Sequence, residues 1–432
     1  MNRTVRAGHV IRALPAWLAA SMLVTSCAAT ISGQAAKEPD APAPPVSLDT
    51  GNYPTTPRPP LGAAGPNGAA VEAHRMADAV VGPWEVDPVL LQINPTTKVW
   101  REPKAISTSI PEPAPSIAST NGFLTGFSTS RSATAPAGAL DILQIAVMRF
   151  PTIERAAAAA TGMFSKSAAT ESRPVPVPGP PAAAAATGMF SNSAATEARP
   201  VPGPGHPDAS AATLGLADGG AAVFSYTARG VFLVYTWTVG RNGNADAATG
   251  ATVRALDLQK PRLDAFAPTA PDGFAGLPVD PDGVLAKAVP VPPGNLTVTH
   301  GAWQPRAALH YSADPPVSGA LFEKARVTTV ANALDTLYET EDAAGATTLL
   351  DGLQVETARE PNLRRRQIDP VPGVPESHCV DNGERPPDAP KTGIPRFACL
   401  VAVDRYVASV SAEQLDDTQQ RVAAQYVMLT AK

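Results

Sequence analysis

Cysteine carries the clearest chemical signal in this chain of 432 residues, which contains three copies of it. Cys27 follows Thr25 and Ser26 at the end of a largely apolar run, 13–24, and arginine is the only charged residue type ahead of that run. This arrangement is typical of a bacterial leader whose cysteine is acylated and becomes the first residue of the mature chain. An ordinary secretory leader or an uncleaved anchor is the alternative.

Cys379 and Cys399 are the remaining pair, and an even pair in an oxidising compartment predicts a disulfide. Closing a loop of about 20 residues should stabilise the fold by roughly 3 kcal/mol. A metal site that includes the adjacent His378 is the alternative, but the second closely spaced ligand pair of a structural zinc site is missing. We therefore expect a disulfide, with no metal and no cofactor.

Common catalytic motifs are missing from the sequence. There is no Gly-Lys pair for a phosphate-binding loop, no Gly-x-Ser-x-Gly elbow and no His-Glu-x-x-His helix. The histidines after the leader are interpreted as solvated or hydrogen-bonded structural residues. We expect a protein that is not an enzyme. A cell-wall hydrolase or transferase is the alternative, and it would need residues gathered in space, such as His310 beside a carboxylate.

The run Val231–Val239 predicts a strand that is apolar on both faces. Tyr235 and Trp237 share one face of it. Such a strand is either buried on both sides or lines a cavity, so these two residues are the candidate lining of a ligand pocket between sheet and helices. A position in the hydrophobic core is the more ordinary interpretation.

Two stretches of the chain predict the same order of elements. In the first, residues 141–150 read as a strand, the run from Thr152 as a helix, 222–239 as two strands, and 249–266 as a helix with a kink at Pro261. In the second, 326–338 read as extended or mixed structure, 342–357 as a helix, 397–410 as two strands, and the last helix begins at Ser411 with capping-box spacing. The fold class is therefore α+β, with two tandem β-α-β-β-α modules, each an antiparallel sheet packed with helices.

Composition and repeats set the predicted boundaries. They give a leader over 1–26, a disordered Ala/Pro-rich tether over 27–47, an N-terminal α+β domain over 48–294 and a C-terminal α+β domain over 295–432. A 21-residue segment starting at Ala156 recurs at Ala182 with 19 identical positions. Two units are too few for a solenoid, so we expect this duplication, 156–202, to be partly looped out. The polar stretch 361–396 is predicted to be a long loop.

The net charge makes nucleic acid an unfavourable partner. Without residues 1–26, which contain three arginines and no acid, the formal charge falls from −5 to −8. The expected partners are instead the membrane, through the N-terminal lipid, and an envelope protein or a lipid ligand.

Several phrases carry a resemblance to a known family. They include Gly51-Asn52-Tyr53-Pro54-Thr55, Pro83-Trp84-Glu85-Val86-Asp87-Pro88 and Asp280-Pro281-Asp282-Gly283, with Arg405-Tyr406-Val407 and Gln414-Leu415-Asp416-Asp417 near the end. In these the chain resembles actinobacterial (mycobacterial or nocardial) lipoproteins of unknown function, which join an N-terminal region to a smaller C-terminal domain. The resemblance implies a lipid anchor at the outer leaflet of the cell membrane, and it transfers no catalytic residue.

These inferences lead to one functional expectation. We expect a cell-envelope lipoprotein that acts in binding or scaffolding without catalysis. A carrier or sensor of a lipid or small molecule is the alternative.

Overall fold

The structure is a computed structural model, and it describes residues 47–133, 138–170, 199–200, 206, 209–216, 220–358, 365–384 and 395–431. The predicted leader, most of the predicted tether and most of the second copy of the repeat, 182–202, lie outside these residues. Residues 46–432 form one compact unit by their internal contacts. Within the described residues, no helix has both the length and the apolar character needed to cross a membrane.

Helices and strands alternate along the described chain. The helices are α1 (Gly68–Ala77), α2 (Pro83–Val86), α3 (Pro103–Ile106), α4 (Ala114–Thr120), α5 (Ile153–Thr170), α6 (Ala245–Ala265), α7 (Pro305–Ala308), α8 (Pro315–Ala325), α9 (Ala343–Ala358) and α10 (Leu415–Thr430). The strands are β1 (Leu90–Ile93), β2 (Lys98–Trp100), β3 (Thr125–Ala133), β4 (Leu140–Arg149), β5 (Arg199–Pro200), β6 (Ala209–Gly215), β7 (Ala221–Arg229), β8 (Phe232–Gly240), β9 (Gly301–Trp303), β10 (Val327–Asn332), β11 (Thr336–Thr340), β12 (Arg366–Ile368), β13 (His378–Asp381), β14 (Phe397–Val403) and β15 (Tyr406–Ala412).

Two antiparallel sheets organise these elements, which confirms the predicted α+β class. The first sheet has the order β1-β3-β4-β8-β7-β6-β5, and β2 pairs with β3 beside this path. The second sheet, taken in the same direction, has the order β9-β10-β11-β15-β14-β13-β12. In both halves a hairpin is followed by a helix, two strands, a second hairpin and a final helix. The repeated order predicted from the sequence is therefore present. Each module contains more strands than the predicted β-α-β-β-α order.

Three hydrophobic clusters place the sheets and helices in layers. The α5 side of the first sheet carries one cluster, which includes Ala156 and Met163 of α5. The opposite side of this sheet and the α9 side of the second sheet share a single cluster, to which both α6 and α9 contribute. The far side of the second sheet packs on α10. The modules are thus joined through one continuous core and keep separate sheets.

A buried arginine ties the two halves together. Arg131 of β3 is 0% exposed, and its guanidinium donates to the carbonyl of Leu91 in its own half. It also donates to the carbonyls of His310 at 2.9 Å and Ser312 at 2.7 Å in the other half. Burial lowers the pKa of Arg131 to about 10, so the side chain stays charged at neutral pH. The segment after α7 is therefore fixed against the first sheet.

The residues ahead of α1 form a strap, residues 47–64, that lies over the second module. Tyr53 donates to a carboxylate oxygen of Asp417 on α10 at 2.5 Å, and the Arg421 guanidinium lies 5.7 Å from the centre of its ring. Further along, the backbone N–H of Arg58 donates to the carbonyl of Ala286 at 2.9 Å. These contacts hold the strap against α10 and against the segment between the modules.

Two local predictions were wrong. Ser411 lies in β15, which continues to Ala412, so α10 begins only at Leu415; Gln414 occupies the N-cap position and its side chain makes no capping hydrogen bond. The predicted loop 361–396 contains β12 and β13, which extend the second sheet through antiparallel pairing with β14. A short strand at a sheet edge can be polar because one of its faces remains in water.

Candidate functional site

The predicted site residues fall in different places. Cys27 lies outside the described residues, so its lipidation stays a prediction. Cys379 and Cys399 face each other on β13 and β14 and are joined by a disulfide with an S–S distance of 2.06 Å. Both are 1% exposed, within the cluster that also packs against α10. The bond joins two neighbouring strands, β13 and β14, of the second sheet. Among the described residues, no group of three or more His, Cys, Asp or Glu side chains is placed to hold a metal ion.

Tyr235 and Trp237 lie in the core. Each is 2% exposed, in the cluster between the first sheet and α5, while Phe232 and Val234 on the other face belong to the shared core. Strand β8 is therefore buried on both faces, as its sequence predicts, and neither aromatic residue lines any of the cavities described below.

Three adjoining cavities form a groove where the two halves meet, which we call the junction groove. Its arginine end, lined by Arg58 and Arg101, has a volume of about 480 Å³. The middle cavity measures about 310 Å³ and shares Val71, His74 and Val279 with the arginine end. The acidic end, of about 400 Å³, shares Asp282 with the middle cavity.

The groove has three walls. Helix α1 forms the first, strands β9 and β10 form the second, and the segment between the modules forms the third. A turn fixes that segment, since the Asp280 carboxylate accepts from the backbone N–H of Leu285 at 3.0 Å and of Ala286 at 2.7 Å. Gly283 has φ +71° in this turn, a conformation that glycine adopts without strain. The Asp-Pro-Asp-Gly phrase is thus a turn that shapes the groove.

Helix α1 is oriented by a buried carboxylate. Glu72 is 0% exposed and accepts from Arg149 of β4, from Arg75 at 2.5 Å, and from the backbone N–H of Thr269 at 3.0 Å. Three elements therefore meet at one charge, and removal of either arginine would leave the carboxylate poorly compensated. This network sets the rotation of α1 and so the direction in which its other residues face.

His74 lies at the centre of the groove. It is 7% exposed, its Nε2 lies 2.7 Å from the carbonyl oxygen of Val298, and its ring lies 4.0 Å from that of Trp303. Because a carbonyl can only accept, Nε2 carries the proton. Burial lowers the pKa of His74 to about 4, so the ring is neutral at physiological pH. Gly301 leaves room for this ring, since a Cβ there would lie 2.5 Å from His74 Cε1.

The charges differ along the groove. The residues that line the arginine end include no carboxylate. The middle cavity holds Arg75 with Asp78 and Asp282, and desolvation raises the pKa of Asp78. The acidic end holds Glu339 and Glu341 with Arg405. The groove therefore changes from cationic to acidic along its length.

His310 does not adjoin a carboxylate. It is 0% exposed, and its ring nitrogens lie 3.0 Å from the Thr129 hydroxyl and 3.1 Å from the Ala77 carbonyl. Burial lowers the pKa of His310 to about 3. One other histidine does contact a carboxylate: His206 lies 2.8 Å from Asp257, whose side chain is 65% exposed. His310 is therefore a structural residue at the contact between the halves.

The groove residues gave almost no signal in the sequence. Arg58, His74, Arg101 and His300 are separated by long stretches of chain and share no spacing, so only the fold brings them together. The sequence phrases that carry the family resemblance lie in segments near the groove, but they do not indicate a cavity.

Family comparison covers most of the described chain. The N-terminal model of a domain of unknown function, DUF7373, matches residues 60–189 and 180–279, and its C-terminal model matches residues 284–432. The chain belongs to the DUF7373 family. The junction groove of this DUF7373 protein is accordingly built from both parts of the family, and the predicted relation to a two-part family of unknown function is confirmed at that level.

Other comparisons add little about this DUF7373 protein. No curated protein matches the chain. The crystal structure of the extracellular domain of PknH from Mycobacterium tuberculosis is 13% identical, with a TM-score of 0.29 and coverage of 44% of this chain and 96% of that one. A likeness of this size carries no argument about function.

A change of Gly301→Ala tests the fit between His74 and β9. The new Cβ would overlap the imidazole, so we expect a loss of about 1–3 kcal/mol in the free energy of unfolding and a shift in the fluorescence of Trp303. Urea denaturation followed by tryptophan emission measures both. Gly294→Ala is the control, since a Cβ there meets nothing within 4 Å. Equal stabilities of the two variants would show that the ring is not tightly held.

Buried histidines predict a loss of stability in acid. In the unfolded chain histidine has a pKa near 6.5, whereas His74 and His310 have values of about 4 and 3 in the folded protein. Between about pH 6.5 and pH 4 the unfolded chain binds more protons, so the free energy of unfolding falls by up to ~1.4 kcal/mol per pH unit for each histidine. His310→Gln should make this dependence shallower, as urea midpoints from pH 4.5 to 7 would show.

Asp335 should contribute a pH dependence of stability that is opposite in sign to that of the histidines, and the same urea measurements would detect it. Burial raises the pKa of Asp335 to about 7, against the opposing charge of Arg421, so its contribution to stability declines as the pH rises from about 4 to 7. Asp335→Asn should therefore make the pH dependence steeper. If His310→Gln kept the wild-type slope, the neutral buried state of His310 would be wrong.

Proposed function

We propose that this DUF7373 protein is a non-catalytic binding protein of the cell envelope that holds a ligand in its junction groove. The observation that carries the proposal is the groove itself, whose cavities of about 310 to 480 Å³ lie within the range of small-molecule sites. Ligand sites often form where two compact halves meet, because neither half alone encloses the space.

The groove has the composition expected of a binding site. Its arginine end and middle cavity are lined by apolar side chains with a few polar groups among them. Buried contacts fix the walls before any ligand arrives: Glu72 sets α1, and the Asp280 turn sets the segment between the modules. A preformed site of this kind loses little conformational entropy on binding.

The chemistry of the histidines favours binding over catalysis. His74 and His310 are buried and neutral, and the partners of their ring nitrogens are carbonyl and hydroxyl oxygens. Their pKa values of about 4 and 3 lie well below the range in which a general base works best at neutral pH. In this proposal His74 lines the groove and offers a polar contact to the ligand.

The proposed location follows from the N-terminal sequence. The apolar run that ends at Cys27 supports lipidation of that cysteine and attachment to the outer leaflet of the cell membrane. Residues 27–46 would then connect the lipid to the folded body. The resemblance to actinobacterial lipoproteins supports the same placement.

Lipid attachment is tested by metabolic labelling with a palmitate analogue. We expect the wild-type chain to be labelled and to sediment with membranes, while Cys27→Ala should lose the label, because it lacks the acceptor thiol. Cys379→Ala with Cys399→Ala is the matched control for loss of cysteine, and it should keep the label. A labelled Cys27→Ala chain would place the modification elsewhere.

Ligand binding is tested by native mass spectrometry. The full chain with Cys27→Ala, produced in an actinobacterial host, should carry a defined extra mass that is released on denaturation. Val71→Trp should abolish that mass, because Val71 lines both the arginine end and the middle cavity. Val355→Trp on α9 is the control, at a site that is 53% exposed and lines none of these cavities. A clean mass for the parent chain, or retention in Val71→Trp, would contradict groove binding.

A further inference from the structure

The positive charge at the arginine end is not balanced by any carboxylate among the residues that line it. Arg58 and Arg101 line this cavity together with His74 and His300, and no Asp or Glu is among the residues that line it. We infer that the arginine end binds an anionic amphiphile, that is, a single carboxylate or phosphate group carried on an apolar chain. This inference rests on the proposed binding function and names the class of ligand.

Arg101 supplies a cation that is free to bind. It follows β2 and is exposed, and it takes part in no ion pair among the residues that the structure describes. Most other arginines around the groove are engaged: Arg75 and Arg149 bind Glu72, while Arg262 and Arg306 bind Glu85. An arginine with an open guanidinium at a cavity matches the two-oxygen geometry of a carboxylate or phosphate.

Arg58 adds a partly unsatisfied donor. Its Nη2 donates to the carbonyl of Leu285, but its Nε is buried and has no hydrogen-bond partner among the described residues. Burial lowers the pKa of Arg58, and the charge of Asp280 opposes this. Asp280 already accepts from two backbone N–H groups and does not line the cavity. An oxyanion in the cavity would compensate the charge of the Arg58 guanidinium.

His300 is set to donate as well. Its Nδ1 accepts from the backbone N–H of Thr297 at 2.9 Å, which leaves the proton on Nε2. Arg58, Arg101 and His300 therefore each bring a donor group to this end, which favours a ligand group rich in acceptors.

The rest of the lining is apolar and calls for a hydrocarbon. The apolar side chains of this end include Leu61, Val279, Leu285, Val291, Leu296 and Val298. Leu296 is 61% exposed, although a leucine side chain gains about 1.5–3 kcal/mol from full burial. A bound apolar chain would cover it. A free inorganic anion would leave this surface in water, so the apolar wall favours an amphiphile.

The acidic end indicates which way round an anionic amphiphile would lie in the junction groove. The acidic end is lined by three carboxylates, Asp282, Glu339 and Glu341, and by one arginine, Arg405, so it favours an anion less than the arginine end does. The anionic group is therefore expected at Arg58 and Arg101, with the apolar chain running toward Val71 and Val279 at the boundary with the middle cavity.

The inference is tested by isothermal titration of the full Cys27→Ala chain with three probes of equal chain length, each below its micelle concentration. Dodecanoate and dodecyl phosphate should bind at least tenfold more tightly than dodecanol, because only they place a negative charge beside the arginines. Inorganic phosphate alone should not bind detectably. The tighter of the two anionic probes identifies whether the natural group is a carboxylate or a phosphate.

Matched variants connect the affinity to this end of the groove. Arg101→Gln should weaken both anionic probes at least fivefold and leave dodecanol unchanged, whereas Leu296→Ser should weaken all three. Arg254→Gln, an exposed arginine on α6 that lines none of these cavities, should bind as the parent does.

Some outcomes would overturn the inference. Equal affinity for dodecanol, or no effect of Arg101→Gln, would show that charge does not select the ligand. If no dodecyl probe bound while native mass spectrometry still showed a ligand lost in Val71→Trp, the binding function would stand and the ligand class would be wrong. Absence of both signals would reject the binding function itself.

Discussion

A buried guanidinium and its backbone acceptors hold the two halves of this DUF7373 protein together. Arg131 donates to carbonyls from both halves, and its Cζ lies 5.0 Å from the centre of the Trp84 ring. An arginine charge taken out of water is costly unless such partners remain in place. Separation of the segment 309–312 from β3 would leave that charge unsatisfied. The relative position of the halves, and hence the width of the junction groove, depends on this constraint.

Buried polar contacts also hold the walls of the junction groove. Glu72 holds α1 against the first sheet through Arg149, and His310 fills the adjoining space between Thr129 and the end of α1. Polar groups in the interior accept few geometries, because each must keep its hydrogen bonds. Apolar packing alone would allow α1 to slide or rotate. The directional contacts give His74 and Val71 defined positions at the groove.

Sequence patterns predicted the framework and missed the site. Strands β4, β8 and β15 are long or strongly apolar and stand between clear turns, so their periodicity was visible, and the duplicated order followed from them. Strands β12 and β13 were hidden because they are short and partly exposed in a polar stretch. The groove was hidden for another reason. Arg58, Arg101 and His300 come from three unrelated segments, and no local spacing reports that the fold will bring them together.

The order of the layers has a consequence for assembly. The side of the first module that carries its final helix, α6, faces the side of the second module that carries its first helix, α9. The repeats are therefore arranged head to tail, an arrangement that in principle can continue with further copies. The next copy would have to sit on α10, and the strap occupies part of that surface through Tyr53, Asp417 and Arg421. The strap therefore covers part of the surface on which a further module of this kind would pack.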